Sequence, residues 1–300
     1  MLCSLNPVLG NESTSDGEDP ALVRPDVESP RKDTGVSQRR ESLPRFEFGV
    51  AAAALQVPAY PASGVVNDRQ FVVPWFIYRS DSVQVKDGGV KLIAYESDRL
   101  VIDLGISGSL NSDTSNTPLR EGMPDLDFIF ELGPRFDVPL LDFTNDRDIR
   151  SRVNWITSLR FAVSTDIRNF DYRGPVFNTS LGYRVGGFYN ERLSFSASLS
   201  TTWLGERLSE YFYSVDPQFV TDTRPEFDAE AGFLNVQLSL GASFKPRPGI
   251  STFIGLGFAS FAGSENEDSP LFEDDTNTRI IAAFSWRLFK SKRLVRVREE

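Results

Sequence analysis

Asp125, Asp127 and Glu131 are the acidic residues best spaced for chemistry. Offsets of two and four put all three on one side of a β-strand. Two carboxylates across a sugar would be the minimum set for glycoside hydrolysis. The competing use is structural, because Arg135, Arg152, Arg160 and Arg184 fall at positions that share that inward side in neighbouring strands. Carboxylates among arginines in a confined space pair with them, so we expect a charge network of Asp127, Glu131, Arg135, Arg152, Arg160 and Arg184 rather than a catalytic pair. The chain contains no histidine, which removes Ser-His-Asp and Cys-His catalysis and every histidine metal site. Its single cysteine, Cys3, excludes an internal disulfide framework and a thiolate zinc site. No catalytic residue, cofactor or metal is expected.

The elements holding those residues follow from patterning. Lys and Arg number 32 and Asp and Glu 42, a net charge of −10 over 300 residues, which argues against a nucleic-acid partner. Mean hydropathy is −0.25, an average that hides a strict alternation. Leu193, Phe195, Ala197, Leu199 and Trp203 alternate with Ser194, Ser196, Ser198, Ser200 and Thr202. Leu126, Phe128, Phe130 and Leu132 alternate with Asp127 and Glu131, and Ile280, Ala282, Phe284 and Trp286 with Arg279, Ser285 and Arg287. A helix cannot give this pattern, because its apolar positions recur at three and four. Strands are expected at 45–56, 70–79, 82–86, 89–96, 99–110, 124–138, 150–164, 173–186, 190–204, 231–245, 250–262 and 277–289. Long polar connections mostly follow odd-numbered strands and short ones mostly follow even-numbered strands, so the long loops gather at one end of an antiparallel up-and-down meander.

A soluble β-protein also alternates, but four features favour a transmembrane β-barrel. Seven or more strands exceed ten residues, long enough at a tilt of roughly 40° to cross an apolar band of about 25 Å. The polar side of 190–204 is Ser and Thr after Arg192, which suits a crowded lumen. Trp203 and Phe161 fall near one rim, and Phe46, Tyr78, Phe136, Trp286 and Phe289 near the other, as interfacial girdles would. The last strand finishes on alternating aromatics, Trp286-Arg-Leu-Phe289. The expectation is an all-β barrel of about twelve strands, or ten if 82–86 and 89–96 form an irregular excursion. Residues 1–44 read as a disordered N-terminal segment, 45–289 as the barrel and 290–300 as a basic tail. Met1–Gly10 contains no recognisable secretory signal, and no apolar run is long enough for a membrane helix. An even strand count puts both termini on the periplasmic side.

Several blocks also resemble a family. Ala53-Ala-Leu-Gln-Val-Pro-Ala-Tyr60, Val73-Pro-Trp-Phe-Ile-Tyr-Arg79, Glu96 to Leu104, Tyr211-Phe-Tyr-Ser-Val-Asp-Pro217 and Glu267-Asp-Ser-Pro-Leu271 occur in order. The most specific is Glu121-Gly-Met-Pro-Asp-Leu-Asp127, with Gly122, Met123, Pro124, Asp125 and Asp127 as its motif residues. Together they are similar to the MipA/OmpV family, over about residues 45–289. The resemblance implies a Gram-negative outer-membrane β-barrel with no enzymatic activity, in contact with outer-membrane lipid and lipopolysaccharide. It further implies a scaffold for murein metabolism, with a lytic transglycosylase and a penicillin-binding protein as partners. Other members are described as porin-like, so a narrow channel for small solutes or antibiotics is the alternative. A barrel of this kind ends near Phe289, which leaves residues 290–300 outside the resemblance.

Two loops carry further expectations. The segment 205–230 holds Tyr211, Phe212, Tyr213, Phe219 and Phe227, too many rings to hang in water, so it should pack over the barrel mouth or fold into it. The acidic stretch Glu265–Asp275 could bind a divalent cation but lacks any EF-hand spacing, which favours a solvated loop.

Overall fold

The computed structural model describes residues 40–79, 83–86, 89–96, 101–109, 117–145, 148–166 and 168–298. The expected disorder of residues 1–39, with Cys3, and the loop 110–116 lie outside the described residues. The architecture is all-β and antiparallel. After a short strand β1 (Arg40–Pro44) come β2 (Phe46–Pro58), β3 (Val66–Arg79), β4 (Val83–Lys86), β5 (Gly89–Glu96) and β6 (Val101–Ser109). Then follow β7 (Phe128–Thr144), β8 (Arg150–Thr165), β9 (Phe170–Gly187), β10 (Leu193–Leu204), β11 (Gly232–Arg247), β12 (Ile250–Ser260), β13 (Thr276–Lys290) and β14 (Leu294–Arg298). Two helical pieces interrupt them, a four-residue turn α1 (Phe188–Glu191) and α2 (Glu206–Tyr213).

The strands from β2 to β13 pair in sequence order as a curled sheet. β13 pairs with β2 and β9 with β10, so the ladders run into one another around the ring. Among the described residues, β4 meets β3 through Tyr78↔Val85 and Arg79↔Gln84. β1 pairs with β14 from Arg40↔Arg298 to Pro44↔Leu294, a separate two-stranded ribbon at the loop-poor end. Residues 40–44 and 294–298 therefore depart from the expected irregular termini: each supplies the other's backbone hydrogen bonds.

Alternation builds the wall, and its faces are inverted relative to a water-soluble protein. In β10, Leu199 is 52% exposed while its neighbour Ser200 is 4% exposed. Phe284, Leu238, Trp155 and Phe258 are likewise exposed, whereas Ser158, Thr202, Asn235, Gln237, Ser239 and Arg279 are buried. Small inward residues leave room for rings: Phe253 fills the space that side chains at Gly241 and Gly255 would need. Outward rings cluster at both rims. Phe46 contacts Phe76 and Phe289 with centroids at 5.2 and 5.8 Å, and Trp203 lies 5.4 Å from Phe177 and 5.8 Å from Phe233.

Strand ends differ from expectation where proline or polar residues masked them. β7 begins at Phe128 rather than near 124, and runs on to Thr144 through Pro134 and Pro139. Opposite β8 the ladder passes from Leu132↔Phe161 to Arg135↔Ser158 in constant register, skipping the Gly133-Pro134 step, where proline has no N–H to donate. The register shift lies instead between Pro139 and Leu141. The apolar core sits at the loop-rich end, above the ring, around Tyr60, Leu126, Leu208, Phe212, Tyr213 and Phe261.

Candidate functional site

Residues in register across a ladder share a face, so the lumen can be read row by row. One row near the loop-poor end comprises Asp142, Arg152, Arg184, Ser196, Gly241 and Gly255, in β7 to β12. Asp142 accepts from both Arg150 and Arg152, with Nη2 to Oδ2 distances of 2.8 and 3.0 Å. Arg184 stands beside Arg152 and borders a lumen pocket of about 130 Å³ with Asn154, Ser198 and Ser239. Farther up, Arg160 Nη1 lies 3.2 Å from Glu131 Oε2. Arg135 pairs with Asp137 of its own strand at 3.3 Å, and Asn154 donates to the other Asp137 oxygen at 2.6 Å. On the β13–β2 seam, Arg287 reaches Glu47 at 2.9 Å, while on the other side of β13 Arg279 donates across β12 to Gln237 of β11.

The structure thus brings Glu131, Arg135, Arg152, Arg160 and Arg184 into one lumen, but not Asp127. That residue precedes β7, and its backbone N–H donates to Tyr211 Oη at 2.6 Å. Its carboxyl is held above the usual carboxylate range, first by burial and then by Asp166, Asp171 and Asp125, with Arg173 opposing. The expected partnership of Asp127 with Arg152 or Arg160 is corrected: the strand starts four residues later than its alternation suggested, which leaves Asp127 in the loop layer. Asp137, Asp142 and Glu47 are the acids that sequence reasoning missed. Asp142 fell in a stretch read as loop because of Pro139.

The loop-rich end is closed by side chains that reach between loops. Tyr60 Oη donates to the Leu271 carbonyl at 2.6 Å, and Tyr213 Oη to the Pro61 carbonyl at 3.0 Å. Ser269 Oγ donates to the Tyr213 carbonyl at 2.6 Å, and Arg120 Nη1 to the Phe212 carbonyl at 2.9 Å. Arg224 grips the carbonyls of Phe219, Leu119 and Glu121. Asn277 receives the Ala62 N–H and donates to the Ser63 carbonyl, both at 3.0 Å. Burial is the first cause that pushes the phenols of Tyr60, Tyr211 and Tyr213 above the ordinary range, and it lowers the Arg120 guanidinium. All five rings of the 205–230 loop are thereby accounted for at the mouth: Phe212 and Tyr213 are buried, and Tyr211, Phe219 and Phe227 half-buried. In the acidic loop, Glu273 accepts from Gly64 N–H and Glu267 from Gly263 N–H. Among the described residues, no three acidic or sulfur side chains are grouped as a metal site.

Within the motif block, Gly122 adopts φ +79°, a left-handed turn residue that a side chain would strain. Met123 N–H closes that turn onto the Arg120 carbonyl at 2.9 Å. Pro124 and Asp125 are exposed on the outer side of the cap.

Compared with known proteins, the profile of the MltA-interacting protein MipA matches residues 50–288. The chain belongs to the MltA-interacting protein family. Comparison with curated proteins gives no match. Among solved structures, this family member is similar to an outer membrane channel from Pseudomonas putida F1 at 9% identity and a TM-score of 0.44, covering 87% of this chain and 100% of that one. It is also similar to Salmonella typhi OmpF in complex with daunomycin, at 7% identity and a TM-score of 0.33, covering 82% and 98%. The CymD monoaromatic hydrocarbon channel follows at 10% identity and 0.26, covering 82% and 88%.

Proposed function

We propose that this MltA-interacting protein family member is a non-enzymatic, closed twelve-stranded barrel of the outer membrane, acting as a scaffold for murein-cleaving and murein-synthesising enzymes. The observation that carries it is a sheet with apolar residues outward and polar residues inward, shut at one end by its own loops. An outward face of Leu, Phe and Trp suits lipid and lipopolysaccharide acyl chains and would be unstable in water. Long loops then face outside, and both termini, with the β1–β14 ribbon, face the periplasm. A mouth laced by Tyr60, Tyr213, Arg120 and Arg224 favours a scaffold over free passage of solutes. The family's description names MltA as the interacting protein, and the β1–β14 ribbon is our candidate for the part of this chain that meets such a murein enzyme. Ribbon and adjoining chain carry Arg45, Lys290, Lys292 and Arg293, basic side chains suited to an acidic partner.

A second reading, a narrow channel, is favoured by the small Ser and Gly residues of β10–β12 and the pocket beside Arg184. Two measurements on the purified barrel separate them. The scaffold reading expects retention of an MltA-type transglycosylase by the barrel in detergent and no steady current in planar bilayers. Steady single-channel current with no retained enzyme would overturn it in favour of the channel.

A further inference from the structure

Outside the loop core, a cavity of about 900 Å³ opens between the 117–127 loop, the start of β9, α2 and the segment 214–228. The two most distinctive sequence blocks meet in its walls, Pro124 and Asp125 from one, Tyr211 and Asp216-Pro217 from the other. The volume is that of a small-molecule site. Four rings line it, those of Tyr172, Tyr211, Phe219 and Phe227. Six carboxylates line it as well: Asp125, Asp171, Glu210, Asp216, Glu226 and Asp228.

Three guanidiniums oppose them, and each is already engaged. Arg173 lies over the Tyr211 ring at 4.0 Å, 3.6 Å from an Asp171 oxygen. Arg207 lies over Tyr172 at 5.6 Å, and Arg120 lies over Tyr60 at 5.7 Å. Among the described lining residues, carboxylates outnumber guanidiniums by three. The carboxyl of nearby Asp127 is raised first by burial and then by Asp166, Asp171 and Asp125, with Arg173 opposing, so part of that shift comes from the same negative field. Arg120, which lines the cavity, is 4% exposed, and its Nε has no hydrogen-bond partner among the described residues. A ligand that suits this wall therefore brings positive charge and a body that packs on rings.

We propose that this cleft is a binding site for a small organic cation, an amine or guanidinium on a ring-bearing body. The protein's own side chains already use the recognition involved: guanidiniums rest on Tyr211 and Tyr172 inside the same cleft. A cation over an aromatic face is attracted by the ring's negative face, and the carboxylate rim adds a salt-dependent attraction. A bare divalent ion is disfavoured, because no three acidic side chains among the described residues are grouped to ligate one. The inference stands apart from the scaffold reading, since it concerns the opposite end of the barrel.

The test uses the folded full-length chain in detergent, titrated calorimetrically with tyramine and with 4-hydroxyphenylacetate, which keeps the ring and hydroxyl and reverses the charge. Tyramine should bind and the acid should not. Asp216→Asn, Glu226→Gln and Asp228→Asn together should weaken tyramine about tenfold, at about 0.5 kcal/mol per charge. Arg207→Gln, which removes an exposed opposing charge, should tighten it several-fold, a gain that misfolding cannot mimic. Absence of tyramine binding, equal binding of the acid, no tightening by Arg207→Gln, or full displacement of tyramine by equimolar Mg²⁺ would each overturn the proposal.

Discussion

Arg160 reaches from β8 to Glu131 on β7, with Nη1 3.2 Å from Oε2 and only 14% and 8% of the two side chains exposed. The pair sits inside the ring, where neither charge has much water. Removing one partner strands the other, whereas removing both leaves space that apolar groups can fill. Glu131→Gln should therefore lose about 3 kcal/mol of unfolding free energy, toward the lower end for a buried pair because both side chains hold further interactions. Glu131→Leu with Arg160→Met should lie within about 1 kcal/mol of the parent. Urea unfolding in detergent micelles measures both. Equal losses for the single and double variants would contradict the pairing.

Leu199 and Ser198 are neighbours on β10 that face opposite ways, and Ser198 stands in register with Gly182 and Ser239 on the lumen side. Leu199→Arg places a guanidinium against lipid and should cost about 2–4 kcal/mol. Ser198→Arg points it into the lumen over Gly182, where a Cβ would find only the Asn154 carbonyl, at 3.9 Å. Folding yields into lipid vesicles should fall sharply for the first and little for the second. Similar yields would reverse the assignment of faces.

What the sequence shows plainly is whatever repeats every two residues. The wall strands from β8 to β13 lie close to the alternating runs, because each wall residue chooses between only two environments. What escaped are features without that period. β3 starts at Val66, since Asn67 to Arg69 pair with Leu55 to Val57 although polar residues there look like loop. β1 and β14 lie more than 240 residues apart and make sense only as each other's partners. The cap is set by single hydroxyls on distant carbonyls, such as Tyr213 on Pro61, a relation that neither segment signals locally. The lumen arginines were legible as a group, but Arg152 finds Asp142 because β7 runs on past Pro139, and Arg135 finds Asp137 two residues along its own strand.

The cap should weaken in alkali. Tyr60 is buried, donates to the Leu271 carbonyl and is held above the ordinary phenol value by burial, with Glu273 adding repulsion to its ionised form. An acid whose pKa is raised on folding contributes stability that is whole below its unfolded pKa, here about 10, and is lost as pH rises from there toward the folded value. Proteolytic nicking of the 205–231 loop should accordingly be slow and flat from pH 7 to about 10 and accelerate above it. Tyr60→Phe should cost the cap about 1 kcal/mol at neutral pH through the lost hydrogen bond, and flatten the alkaline acceleration. An unchanged alkaline slope in that variant would assign the titration to other groups.

The ribbon at the loop-poor end makes the final prediction. β13 already pairs with β2 as far as Lys290↔Glu47, so that seam is made before β14 begins. Deleting 294–300 removes β14 and leaves β1 without its ladder, yet breaks no pairing within the ring. The barrel's unfolding midpoint should therefore stay where it is. If the ribbon is the periplasmic docking element, retention of an MltA-type transglycosylase by the truncated barrel should fall by at least about tenfold, a loss of roughly 1.4 kcal/mol. Charge neutralisation of Lys290, Lys292 and Arg293, with the strands left intact, separates the two ways the ribbon could act. Loss of binding there, with salt sensitivity gone, indicates electrostatic docking, whereas full binding indicates recognition through the ribbon's backbone edge. A truncated barrel that retains the enzyme as well as the full chain would move the docking site off the ribbon and onto the turns between strands.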